Sequence, residues 1–238
     1  MKYPCIAILI VLVSVSSVNA AKKNKHLFIL SGQSNMARFD PNISFTPTVE
    51  KEFGKENVTV VKNAMSGQPI RLWHKDYKYP AGTTVTADKK SIGSLYKGLM
   101  KNVTKVTAGK TYDSVTFVWM QGERDAKESL GEVYAQSFTG ILAQLKDDLK
   151  LKSINFVIGR ISDFDMSDKT YPHWTMIRKA QVTVAEADPK GAWVDTDDLN
   201  NRKPGQKGGG LHYTKDGYNT LGLRFAEKAI ELIKNNAQ

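Results

Sequence analysis

Four short stretches of the chain carry the residue types that acyl transfer to water needs. Such chemistry requires a hydroxyl, a base to take its proton and donors for the developing oxyanion. Ser34 lies in Gly32-Gln33-Ser34-Asn35-Met36, and His212 lies in Leu211-His212-Tyr213 behind three consecutive glycines. Between them come Gly67, after Met65-Ser66, and Gln121, which opens Gln121-Gly122-Glu123-Arg124-Asp125. The side chain of Gln121 and the backbone N–H groups of Gly67 and Ser34 are the candidate oxyanion donors. Each residue alone has a plainer reading. Serine is a favoured helix cap, and an isolated histidine is most often an ordinary surface or core residue. It is the joint presence of Ser34, His212 and Gln121 that points to a hydrolase. The nucleophile elbow Gly-x-Ser-x-Gly is not met, because Met36 stands where its second glycine belongs. Of the other histidines, His26 precedes the first strand and so falls at the wrong end for this site, whereas His74 and His173 sit in or near aromatic segments.

The elements that would carry these residues alternate. Leu27-Phe28-Ile29-Leu30 is a short apolar run that reads as a buried strand, and Ser34 follows it directly. Residues 57–61, 114–120, 154–161 and 192–194 give four more strand-like runs. The second run leads to Gly67 and the third to Gln121. Tyr134, Phe138, Ile141, Leu142, Leu145 and Leu149 recur at helical spacing, as do Leu221, Phe225, Ala229, Leu232 and Ile233. Strands alternating with amphipathic helices imply an α/β domain whose mostly parallel sheet of about five strands is covered on both faces. In such sheets ligands bind beyond the carboxyl ends of the strands, which is where the polar stretches fall. The irregular stretch 68–90 holds Trp73, His74, Tyr77 and Tyr79, placed either to stack on a sugar or to pin the loop to the core.

The bulk properties narrow the setting. Met1-Lys2, the apolar run 6–13 and Val18-Asn19-Ala20 form a signal-peptide pattern with a cut after Ala20. That leaves 21–238 as one domain, removes Cys5, the sole cysteine, and predicts a secreted or periplasmic protein with no internal disulfide and no stable membrane insertion. The net charge of +10 comes from scattered lysines and arginines, with no basic run or zinc-finger spacing. Nucleic acid is therefore not an expected partner. The glycine-rich stretch 205–210 lacks the phosphate-loop spacing, and Asp163, Asp165 and Asp168 fail the calcium-loop pattern at its sixth and twelfth positions. Neither a metal nor an organic cofactor is expected.

Taken in order, the stretches resemble the SGNH hydrolases, specifically the carbohydrate-esterase branch that includes sialate and xylan acetylesterases. Gly32-Gln33-Ser34-Asn35-Met36 is similar to the first block, Gly67-Gln68-Pro69-Ile70 with Trp73 to the glycine block, and Trp119-Met120-Gln121-Gly122-Glu123 to the third. Residues 194–199, 211–213 and 221–226 resemble the closing region. The resemblance implies a flavodoxin-like, three-layer α/β/α domain that removes acetyl groups from an oligo- or polysaccharide. Ser34 would be the nucleophile, His212 the base, and Ser34 N–H, Gly67 N–H and Gln121 the oxyanion hole. Gly209 stands where the branch usually has an aspartate, so His212 would lean on a backbone carbonyl or on another carboxylate, Glu123 first. That departure also motivates a rival reading as a catalytically weak carbohydrate-binding relative. A lipase- or thioesterase-like activity is the rival within the superfamily.

Overall fold

The computed structural model describes residues 24–85, 91–200 and 210–236. The expected signal segment 1–20 and Gly209 lie outside the described residues.

Five strands form one parallel sheet: β1 (His26–Gly32), β2 (Val58–Ala64), β3 (Ser114–Met120), β4 (Asn155–Gly159) and β5 (Gly191–Val194), in the order β2-β1-β3-β4-β5. The five runs read from the sequence are these five strands. β1 is buried along its whole length, as a strand covered on both faces must be, while the edge strand β2 is mostly half-buried.

Helices α1 (Ser34–Arg38), α2 (Phe45–Phe53) and α7 (Lys215–Asn235) form one layer, in which α7 packs on α2 and on β3, β4 and β5. Helices α3 (Ser94–Thr107), α5 (Tyr134–Leu149) and α6 (Trp174–Glu186) form the other. The short α4 (Glu123–Lys127) follows β3 and packs on α6. The apolar faces of α5 and α7 predicted from spacing are buried, including Phe138, Ile141, Leu145, Leu221, Phe225 and Ala229. The chain winds one way from β1 to β2 and the other way from β3 onward. Right-handed crossovers then place helices on both faces and open a crevice between the ends of β1 and β3.

Two glycines make that crevice possible. Gly32 has φ of 145°, and a Cβ there would sit 2.0 Å from the Met120 carbonyl oxygen. The bare backbone lets Gln33 N–H bond Met120 O at 2.9 Å, so α1 starts hard against the end of β3. Gly122, with φ of 154°, turns β3 into α4 at a point where a Cβ would lie 2.7 Å from Ile177. The aromatics of the 68–90 stretch anchor it inward. Trp73 meets Trp119 edge-on at 5.2 Å, and Trp73, His74 and Tyr77 are all buried. Pinning the loop to the core is thus what these three residues do.

Candidate active site

Ser34 is the first residue of α1, so its N–H has no intrahelical acceptor. Its Oγ lies 3.1 Å from Nε2 of His212. These two residues, 178 positions apart, meet at the mouth of the crevice. The His212 segment is fixed from both sides. Tyr213 bridges to Asn200 and its hydroxyl donates to Thr196 Oγ1 at 3.0 Å. Thr214 N–H donates to Leu199 O at 3.1 Å, and the Thr214 hydroxyl caps α7 by accepting from Gly217 N–H at 2.8 Å.

Asn35 ties the two halves together. Its Nδ2 donates to Glu123 Oε1 at 2.8 Å and to the Leu211 carbonyl at 3.2 Å, while its Oδ1 accepts from the Tyr218 hydroxyl at 2.9 Å. The residue after Ser34 thus holds the residue before His212. Glu123 lines the crevice beside Ser34 and His212. Its hydrogen-bonded partner among side chains is Asn35 and not the imidazole, which departs from the expectation that it would reach the ring. Among the described residues no acceptor bonds Nδ1 of His212.

Gly67 also lines the crevice, in a left-handed conformation with φ of 71°. Its carbonyl accepts from Arg124 Nε at 2.7 Å, which locks the loop after β2 to α4. Gln121, the side-chain oxyanion candidate, directly follows β3. It is wholly buried and does not line the crevice. Its Nε2 is surrounded by Asp125 Oδ2 at 2.5 Å, Gln33 Oε1 at 3.2 Å and the Gln68 carbonyl at 3.2 Å. A glutamine directly after β3 carries its amide one methylene further than asparagine would, and here that reach ends among three oxygens.

Electrostatics follow from burial. Burial, then the nearby Arg38 guanidinium, lowers the His212 pKa and favours the neutral imidazole. Burial pushes Glu123 up to about 7, against the opposing pull of its backbone and Asn35 hydrogen bonds. Asp125 is likewise pushed up to about 7 by burial, opposed by Ile70 N–H and Gln121. The crevice holds about 280 Å³. Arg38, Arg124 and Lys127 line its rim, and Glu123 is the one acidic residue among its lining residues. Arg38 and Lys127 form no ion pair among the described residues, and the Lys127 ammonium lies 5.8 Å from the centre of the Tyr171 ring.

Sequence reasoning assigned no role to Gln33, Asn35, Arg38, Arg124 or Lys127. The signal for Asn35 was its place directly after Ser34. Arg124 and Lys127 were findable as an i, i+3 pair on the helix that leaves β3. Asp195, Asp197 and Asp198 are engaged by Arg160, Arg178 and Arg224. Among the described residues no group of three His, Cys, Asp or Glu side chains is arranged to hold a metal ion, and no helix is long and apolar enough to cross a membrane.

A family model described as carbohydrate esterase, sialic acid-specific acetylesterase, matches residues 37–231. The chain belongs to this family. Membership makes it a carbohydrate O-acetylesterase and bears out the resemblance read from its motifs. The match begins just after Ser34, so the nucleophile candidate rests on the geometry above. Solved structures agree on the fold. A protein from Arabidopsis thaliana superposes with a TM-score of 0.64 at 18% identity, over 87% of this chain and 98% of its own. A carbohydrate acetylesterase from Xanthomonas citri gives 0.62 at 16% identity, over 88% of this chain and 57% of its own. The structure of NanS gives 0.57 at 13% identity, over 89% and 98%. No curated protein sequence matches the chain.

Proposed function

We propose that this esterase removes an O-acetyl group from an acidic sugar through an acetyl-enzyme on Ser34. The observation that carries the reading is the 3.1 Å approach of Ser34 Oγ to His212 Nε2 at the switch point of the sheet. Ser34 Oγ attacks the acetyl carbonyl carbon while His212 Nε2 takes the hydroxyl proton. The oxyanion develops toward the N–H groups of Ser34 and Gly67. Collapse breaks the bond to the sugar oxygen, which receives the proton from His212, and the acetyl group stays on Ser34. Water, deprotonated by His212, then attacks the acetyl-enzyme and releases acetate. The acidic character of the sugar is supported by Arg38, Arg124 and Lys127 on the rim and by the family's sialic acid description.

Ser34→Ala tests the mechanism on an activated acetyl ester. A folded variant should lose on the order of 10⁴-fold or more in kcat, and a serine-directed phosphonate should label the wild type at Ser34. Near-normal turnover by folded Ser34→Ala, or labelling elsewhere, would sink it. A purely carbohydrate-binding protein would bind acetylated glycans without releasing acetate. The proposal extends to export: N-terminal sequencing of protein recovered outside the cytoplasm should begin at Ala21.

A further inference from the structure

We propose that Tyr171 is the platform on which the sugar ring lies while its acetyl group reaches Ser34, and that this contact selects a sugar over other alcohols. The inference rests on the reading above that a sugar carries the acetyl group. It names the side chain that recognises the ring itself.

Among the described residues that line the crevice, Tyr171 supplies the one aromatic ring besides the His212 imidazole. The remainder are charged, amide, hydroxyl or glycine residues, Leu211 excepted. A sugar matches that division. Its hydroxyl edge asks for hydrogen-bonding partners, while its C–H face is apolar and slightly positive, complementary to the negative face of an aromatic ring. Trp73, His74 and Tyr77 are buried and cannot serve. Tyr171 is only half-buried.

The loop that carries Tyr171 is held firmly. Asp165, 7% exposed, turns its carboxylate onto the backbone and accepts from Tyr171 N–H at 2.6 Å, Thr170 N–H at 2.7 Å and Lys169 N–H at 3.3 Å. The Tyr171 ring packs against Phe164 and Trp174, with ring centres 5.5 and 5.4 Å away. Trp174 is itself anchored through Nε1 to the Ser162 carbonyl at 2.6 Å. His173 N–H donates to the Ala126 carbonyl at 3.1 Å, which fastens the loop to α4. A ring fixed before the ligand arrives costs little further ordering on binding. Lys127 Nζ lies 5.8 Å from the ring centre, at the outer reach of a cation–π contact. One acidic sugar can thus set its face on Tyr171 and its carboxylate on the flexible Lys127 side chain.

The test compares kcat/KM for an O-acetylated hexose with that for trifluoroethyl acetate, an activated ester with no ring. Taking the ratio of the two cancels any general loss of catalysis. Tyr171→Leu should lower that ratio roughly three- to ten-fold, the scale of one aromatic contact, with the loss in KM for the sugar ester. Tyr171→Phe, which keeps the ring, should hold the ratio near the wild-type value. In wild-type protein titrated with the unacetylated hexose, C–H protons on one sugar face should move upfield under the ring current, a readout that needs no substitution. A folded Tyr171→Leu with the wild-type ratio, or an equal loss in Tyr171→Phe, overturns the proposal. Should Tyr171→Leu not fold, sugar protons that stay unmoved at saturation overturn it instead. Acetate release from the hexose as fast as from the matching uronate, with the ratio still falling in Tyr171→Leu, supports Tyr171 and removes only the acidic-sugar reading. A wild type that releases acetate from no sugar ester overturns both.

Discussion

In the proposed mechanism His212 must be neutral to accept the Ser34 proton, so its pKa would set the acid limb of activity. Burial and the Arg38 charge both disfavour the imidazolium, and no carboxylate hydrogen-bonds the ring among the described residues. The acid limb of kcat/KM should therefore fall below the ordinary histidine value of about 6.5. Arg38→Gln removes a positive charge that opposes protonation, so its limb should move upward. A pH–rate profile of both enzymes on an uncharged aryl acetate checks this, and a limb above pH 7 in the wild type would refute it. At this scale the sequence was legible where chemistry depends on residue type and backbone. Ser34, His212 and Gly67 stand in the crevice as their types suggested. It was not legible where the outcome depends on which of two neighbouring amide residues lines the crevice. Gln33 and Gln121 carry identical side chains, and only the folded structure shows that Gln33 lines the crevice while Gln121 is wholly buried.

The elements around the site are joined by single side chains. Asn35 links α1 to the Glu123 carboxylate and to the segment before α7. Asp125 links α4 to the start of the loop after β2. Such joints were invisible in the sequence, because hydrogen bonds across 55 or 176 residues leave no periodicity. The strands were visible, since a fully covered parallel strand must be a near-continuous apolar run. The Asp125 joint has a cost that pH reveals. Its folded pKa is pushed up from 3.8 to about 7 by burial. Between those values the folded state holds a proton the unfolded chain has released, so stability falls as pH rises through this window. Each tenfold change in proton affinity is worth about 1.4 kcal/mol, so the loss by neutral pH is a few kcal/mol. Asp125→Asn keeps an oxygen for Ile70 N–H and Gln121, and cannot ionise. Its melting temperature should decline less than that of the wild type between pH 4 and 7, with Glu123 sustaining what slope remains. Parallel melting profiles for the two proteins would show that Asp125 is not the group responsible.

Across the whole molecule, the topology does the gathering. The reversal of winding between β1 and β3 brings the ends of three strands and the segment before α7 to one crevice. The same convergence concentrates charge that the sequence spreads thinly. Arg38 ends α1, while Arg124 and Lys127 share α4, so three of the cations scattered along the sequence come together around the crevice that holds Ser34. Fields from such a rim attract an anionic ligand and are screened beyond about 8 Å at physiological salt. An O-acetylated acidic sugar should therefore show a kcat/KM that falls as salt rises, whereas an uncharged aryl acetate should show almost none of this dependence. Arg124 is unsuited to the matching substitution because it also holds the Gly67 carbonyl. Lys127 makes no such bond, so Lys127→Gln isolates the charge. It should raise KM for the acidic substrate by roughly two- to five-fold, the scale of one exposed ion pair, with kcat and the neutral ester unaffected. Equal salt dependence for the acidic and neutral substrates, beside an unchanged KM in folded Lys127→Gln, would detach the rim from substrate choice and leave the sugar's charge unread by this crevice.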